Sequence, residues 1–241
     1  PMLNLSITPN MTPQKIADWE VLVAHWDTES CLKEYVLHYV KLPGIHSLFF
    51  DNKVMRSFID VAPALKELAL LGKLTSGERK IGPPFTFDIV IVDGYATGHM
   101  LSLLRAPKGM SESIRTGPMG THSAEIYKTL TDPETSGYCL VTLPDALPTA
   151  EALELTAQFK SEFGIIPEIF VNRVLEPPAD FQQSEGPETF KKYLATVTKR
   201  QAGNINLLKE TGREVVSPPL VVDANNAKEI IEKLSGLVPL K

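Results

Sequence analysis

Phe85-Thr86-Phe87-Asp88-Ile89-Val90-Ile91-Val92-Asp93 runs directly into Gly94-Tyr95-Ala96-Thr97-Gly98-His99-Met100-Leu101-Ser102-Leu103-Leu104-Arg105-Ala106-Pro107. A β-branched apolar run ends in an acid, a short polar loop follows, and apolar residues then recur at helical spacing. Continuous apolar strands suit burial on both faces, as in a parallel sheet. We therefore expect a central buried strand over 86–92 and a helix over about 98–105. An acid at the carboxyl end of such a strand stands where open α/β sheets bind ligands.

Downstream, Gly137-Tyr138-Cys139-Leu140-Val141-Thr142-Leu143 reads as a second buried strand. Residues 147–163 read as an amphipathic helix, with Ala152, Leu155, Phe159 and Phe163 on one face and Gly164 as its stop. Residues 165–171 form a third strand ending in Asn172-Arg173. Strand, helix and strand with short joints make a right-handed βαβ unit and a parallel sheet. A long helix follows, marked by Phe190, Tyr193, Leu194, Val197 and Leu208. The last extended stretch flanks Ser217-Pro218-Pro219. The final helix starts near Asn226, with Glu229 as capping-box partner, and ends at Gly236.

Upstream, residues 13–41 read as one helix begun by Pro13. Val54, Phe58, Val61, Leu65 and Leu68 mark a second helical region, interrupted by Pro63 and stopped at Gly72. Residues 75–84 read as loop. Pro107, Gly109, Gly117, Pro118 and Gly120 make 106–122 an irregular segment, ahead of a short helix over 122–131.

The 241 residues suffice for one large α/β domain or two small ones; hydrophobic content is 43%, charged content 22% and net charge -5. No basic stripe is present, so nucleic acid is not the expected partner. Cys31 and Cys139 form no CxxC pair, which fits a reducing cytoplasm. His25, His38, His46 and His122 show no metal-ligand spacing, and no GxSxG elbow occurs. The sequence also has no GxxxxGK[ST]: Gly72-Lys73 is followed by Leu74 and has Glu67 at the required upstream position.

Asp93 has two readings, an acid that organises Mg²⁺ through bound water and a strand-end Asp capping the next helix. Thr97-Gly98-His99 reads either as a phosphate-sensing turn or as an ordinary helix start with Thr97 as cap. Asn172 could read an adenine edge, since an amide both donates and accepts, or serve as a turn residue. Arg173 could face a nucleotide or solvent.

Together these residues resemble the arsenite-pump ATPase family, which includes ATPases that deliver tail-anchored membrane proteins. That family carries a strand ending in Asp, a Thr-Ala-Pro-Thr-Gly-His loop, and a helix with Leu-Arg and Pro. Asp93, Thr97, Gly98, His99, Leu101, Leu104, Arg105 and Pro107 match; Gly94, Tyr95 and Ala96 depart. Similar stretches are Val141-Thr142-Leu143-Pro144-Asp145 with Glu151, Val171-Asn172-Arg173-Val174, and Ala62-Pro63-Ala64-Leu65-Lys66-Glu67-Leu68 through Lys73. The resemblance covers roughly 45–240.

The resemblance implies a P-loop NTPase-type α/β fold: a mostly parallel sheet with flanking helices and a small helical subdomain. The whole of 1–241 would be one ATPase-type domain, with 13–73 and 98–131 supplying the helical part. The family's phosphate loop, first strand and first switch have no counterpart in these residues. By the same resemblance, Asp93 is the second-switch acid that holds Mg²⁺ through water, and Gly94, Thr97, Gly98 and His99 form the switch loop. Asn172 and Arg173 bind nucleotide, and Pro218 and Pro219 pack near the base. ATP and Mg²⁺ would be the ligands, and the working form a homodimer or a heterodimer with a paralogue. Turnover by this chain alone is not expected. The alternative is a catalytically degenerate regulatory subunit paired with an active paralogue, which the altered Gly94-Tyr95-Ala96 favours. The tail-anchored branch would add a membrane-protein client. Its long Met-rich insertion and CxxC zinc pair are absent here, which argues against targeting in that form. Membership of the wider partitioning or cofactor-biosynthesis group is a third option, opposed by Thr97-Gly98-His99.

Overall fold

The computed structural model describes residues 13–15, 21–39, 63–82, 87–95, 97–114, 116–183 and 185–236. The chain divides into two compact units, Leu3–Ser136 and Gly137–Lys241.

The first unit opens with a short antiparallel ladder, β1 (Gln14–Lys15) against β2 (Leu22–Val23), where a single helix over 13–41 was expected. Helix α1 (Thr28–Tyr39) starts only after Asp27, whose Oδ1 accepts from the Ser30 N–H at 2.8 Å. That N-cap satisfies an orphan donor and sets the start, which the apolar spacing of Val23, Trp26 and Leu32 had placed too early. Helix α2 (Pro63–Leu74) has Pro63 as its first residue, where a first-turn proline costs nothing. Val54, Phe58 and Val61, expected to lie on the same helical region, fall outside the described residues.

Helix α2 also runs past Gly72. Its last carbonyls are taken by side chains further on: Thr75 Oγ1 donates to Leu71 O, Arg79 Nη2 to Gly72 O and Ser76 Oγ to Lys73 O, each at 2.8 Å. Those donors sit on and beside a one-turn helix, α3 (Ser76–Arg79), within the stretch expected to be loop. A Cβ at Gly72 would stand 3.5 Å from Ile126 Cδ1, an ordinary contact, so packing does not demand glycine there. Lys73 is buried, paired with Glu34 and 4.7 Å from the centroid of the Trp26 ring, so Gly72-Lys73 belongs to a helical core and not to a phosphate loop.

Helix α4 (Thr97–Ser113) and helix α5 (Pro118–Thr131) pack against each other and against α2. The irregular segment expected over 106–122 thus shrinks to the joint between them. Pro107 lies inside α4, buried with Leu101, Leu103, Leu104 and Ala106. The lost backbone hydrogen bond is outweighed there by burial of a continuous apolar face.

Residues 87–92 differ most from expectation. They belong to no strand, and Ile89 and Ile91 are 81% and 92% exposed. A β-branched run states which environment a strand suits, but the ladder must come from a neighbour.

The second unit holds a parallel sheet in the order β3 (Cys139–Thr142), β4 (Glu168–Val171), β5 (Val215–Val216). Leu140 faces Ile169, Thr142 faces Val171 and Ile169 faces Val215. Helix α6 (Ala146–Phe163) connects β3 to β4, as the βαβ reading expects. Ala152, Leu155, Phe159 and Phe163 are buried as the pattern requires. Gly164 closes α6 at φ 72°, a left-handed conformation open to glycine, with its N–H on Lys160 O.

Helix α7 (Glu188–Lys209) leads back to β5. Its buried face is Gln201, Asn204, Ile205 and Leu208; Phe190 and Tyr193, which the pattern counted as apolar anchors, are exposed. Ala152, Ile169, Val171, Val174, Ile205 and Leu208 form the core. The opposite side of β3 is open, with Val141 64% exposed, where the pattern had read a fully buried strand. Helix α8 (Ala227–Ser235) begins at Asn226, whose side chain accepts from the Glu229 N–H. Asn226 Nδ2 in turn donates to the Glu229 carboxylate at 3.2 Å, so the expected capping pair is present.

Candidate functional site

The candidate residues fall in both units. In the first, Asp93, Gly94, Gly98 and His99 are exposed; Ala96 and the Thr97 side chain lie outside the described part. Asp93 ends a segment that belongs to no strand, so strand pairing does not aim its carboxylate. Gly94 sits against Met100, whose Sδ would stand 3.4 Å from a Cβ at that position. The rings of Tyr95 and His99 lie 6.4 Å apart, and Ser102 Oγ donates to Gly98 O at 3.1 Å.

Glu67 lies in one of the family-like stretches, with no role assigned to it there. Burial pushes its carboxyl above the ordinary carboxylate value, and the charge of His99 draws it back. That places His99 near α2. Helical spacing alone could not reveal this, because the two residues are 32 positions apart.

Mg²⁺ keeps several of its waters and is typically held by one or two carboxylates together with phosphate oxygens. An exposed Asp93 fits that role only alongside a bound nucleotide. Among the described residues no group of three or more His, Cys, Asp or Glu could form an all-protein cage.

In the second unit the structure brings Asn172, Arg173, Pro218 and Pro219 together. Val174 N–H donates to Pro218 O at 3.3 Å, Leu220 N–H donates to Val174 O at 2.7 Å, and Val174 and Pro219 form a parallel bridge. The ends of β4 and β5 are thus zipped beyond the sheet, at its carboxyl edge, where open α/β sheets take ligands. The Arg173 N–H donates to Asn172 Oδ1 at 2.9 Å. Since an N–H only donates, this fixes which amide atom is the oxygen. It leaves Nδ2 as a donor and a second lone pair on Oδ1, the pair of functions that matches an adenine edge.

Arg173 has φ 59°, a left-handed conformation that costs a non-glycine residue about 1–2 kcal/mol. Glycine relieves this but loses about 0.5–1 kcal/mol more chain entropy on folding. Arg173→Gly is therefore expected to stabilise the second unit by roughly 0.5–1 kcal/mol, read as a higher denaturant midpoint by circular dichroism. A clear loss would mean the exposed guanidinium makes contacts that outweigh the strain.

Three side chains of α7 reach the same edge. Asn204 Nδ2 donates to Pro144 O at 3.0 Å in a buried setting, and Gln201 Oε1 accepts from the Leu175 N–H at 3.1 Å. Arg200 lies 3.6 Å from the Asp145 carboxylate. The signal for these residues was two amides, three positions apart, on the stripe that carries Ile205 and Leu208.

The two thiols are free. Cys31 is buried, and burial pushes it up to about 12, which leaves it protonated at neutral pH. No helix among the described residues is long and apolar enough to cross a membrane.

No protein-family profile matches the sequence. The ATPase BagA of Mycobacterium tuberculosis is 31% identical over 175 residues, covering 66% of this chain and 48% of that protein. A counterpart from Mycobacterium bovis, named "Putative ATPase Mb3704", matches with the same identity and coverage. A protein of Halobacterium salinarum named "Putative arsenical pump-driving ATPase" is 28% identical over 183 residues, covering 68% of this chain and 28% of its own length. The chain therefore spans about half the length of the mycobacterial relatives, and over about two thirds of its own length it is similar to proteins named as ATPases.

Proposed function

We propose that the chain is the switch and base-reading part of an arsenite-pump-type ATPase, coupling ATP binding and hydrolysis to a conformational change. The two units would be the helical and sheet parts of one P-loop NTPase-type domain. The observation that carries this reading is the zipped edge at Asn172, Val174 and Pro218, with an oriented amide at the carboxyl end of a parallel sheet. Similarity to proteins named as ATPases supports it.

In this reading Asn172 holds the adenine, Arg173 lies along the nucleotide, and Pro218 and Pro219 wall the base. Asp93 orders hydrated Mg²⁺ beside the terminal phosphate, and the ion would neutralise charge on the phosphate oxygens. Gly98 and His99 pass the phosphate state to α2 through Glu67. We place the protein in the cytoplasm, working as a homodimer or with a paralogue. A membrane-protein client would be a further partner.

The test is Mg-ATP titration and turnover. These 241 residues include no glycine-rich phosphate loop, so the chain alone is expected to bind ATP weakly through its base and to show no turnover. Asn172→Ala is expected to weaken ATP binding about tenfold, the worth of one good hydrogen bond pair. In an assembly that supplies the phosphate loop, Asp93→Asn is expected to abolish turnover while binding persists. Turnover by the pure chain, or ATP binding indifferent to Asn172→Ala, would overturn the reading. The regulatory-subunit alternative, favoured by Gly94-Tyr95-Ala96, predicts that Asp93→Asn leaves the turnover of such an assembly unchanged.

A further inference from the structure

Helix α7 presents an unusual combination at the carboxyl edge of the sheet. Ile205 and Leu208 bury an apolar stripe against β4 and β5, and one turn earlier the same stripe carries two buried amides. Leucine would fill such positions without the cost of desolvating an amide. Each amide instead holds a different loop. Asn204 takes the Pro144 carbonyl in the turn from β3 to α6, and Gln201 takes the Leu175 N–H in the segment after β4. Leu175 follows Val174, which is itself zipped to Pro218 and Leu220. On the other loop, Arg200 meets the Asp145 carboxylate and Thr142 Oγ1 donates to Pro148 O at 3.0 Å. One rigid helix therefore sets the separation of the two loops and, through Val174, the place of Asn172.

We propose that Gln201 and Asn204 are positioning residues that lock the β3 and β4 loops into the frame in which Asn172 discriminates adenine from guanine. The proposal rests on the base-reading role of Asn172 given above. Neither amide needs to touch the nucleotide. Gln201 acts through a backbone N–H three residues beyond Asn172, and Asn204 through a carbonyl on the neighbouring loop. Their effect falls on base preference, because a displaced Asn172 keeps its hydrogen-bonding groups but no longer meets N6 and N7 of adenine together.

The experiment titrates Mg-ATP and Mg-GTP against the 241-residue chain, following the backbone amides of Asn172, Arg173 and Leu175 by NMR. Wild type is expected to prefer ATP. Gln201→Met removes the acceptor at nearly constant volume, and is expected to weaken ATP about tenfold and erase the preference while GTP affinity holds. Gln201→Glu keeps an acceptor for Leu175 N–H and is expected to restore the preference, which a purely structural role would not predict. A Gln201→Met chain that binds and discriminates like wild type, while Asn172→Ala does not, overturns this proposal and leaves the base reading standing. If Asn172→Ala also has no effect, the base reading itself has failed. Should Gln201→Met not fold, hydrogen exchange in wild type decides: the Leu175 amide is expected to exchange slowly and more slowly still with ATP. Exchange unchanged by ATP, with the Asn172 amide shifted, overturns the proposal.

Discussion

Leu208→Ala is expected to destabilise the second unit by about 3 kcal/mol, within the range found for burying a cavity of this kind. Leu208 is 0% exposed and packs in the core with Ile169, Val171, Val174 and Ile205. Loss of its isobutyl group leaves a void between α7 and the strands, and α7 cannot slide inward to fill it. Gln201 and Asn204 hold it to the loops above. The neighbouring Leu207 is 45% exposed, so Leu207→Ala serves as control and should stay within about 0.5 kcal/mol of wild type. The chain offers a way to separate the units: its two tryptophans, Trp19 and Trp26, both precede residue 137. Tryptophan fluorescence should therefore follow the first unit alone, with circular dichroism reporting both. Leu208→Ala should lower a dichroism midpoint and leave the fluorescence midpoint in place. If both move together, the units unfold as one.

The second unit was legible because its signals are local. The strand at 139–142, the helix ending at Gly164, the parallel return at 168–171 and the cap at Asn226 each rest on a pattern within a few residues of itself. The first unit was less so. Pro107 looks like a breaker in isolation, yet it is carried inside a helix by packing. Gly72 looks like a stop, yet the helix runs on through it to Leu74. The apolar run at 87–92 shows the limit of composition most clearly. Its residues call for burial, but pairing is a property of two strands, and no pattern within one strand names its partner.

The candidate site was legible to a similar degree. Asn172, Arg173, Pro218 and Pro219 were singled out from two segments more than forty residues apart, and the backbone of Val174 joins them. The supporting residues Gln201 and Asn204 were not found, because they act through groups distant in sequence and belong to no short motif. An amide on an apolar helical stripe is the one trace such residues leave. It marks a place where helix and loop are tied, without saying which loop.

Gly120→Ala is expected to destabilise the first unit by about 2–3 kcal/mol, through overpacking rather than through lost contacts. Gly120 is buried in the first turn of α5, and a Cβ there would overlap the carbonyl oxygen of Ile114, with the carbonyl carbon only 3.0 Å away. Neither side can yield cheaply. Ile114 is held by its N–H on Met110 O at 2.9 Å, and Thr121 N–H is held on Gly117 O at 3.2 Å, with Gly117 itself at φ 88°. The joint between α4 and α5 is short, so relief has to come from moving α4 as a body. Its other end begins at Thr97, beside the turn that sets His99 near Glu67. The substitution should therefore lower the tryptophan-fluorescence midpoint and also shift the His99 ring signals in NMR, at a site remote in sequence. Gly109→Ala is the opposing control. It lies within α4 with nothing within 4 Å of a Cβ, and should stabilise by about 0.5–1 kcal/mol from helix propensity alone. If both substitutions moved stability in the same direction, glycine's intrinsic flexibility would govern both sites, and the close approach at Ile114 would not be what holds α4 in place.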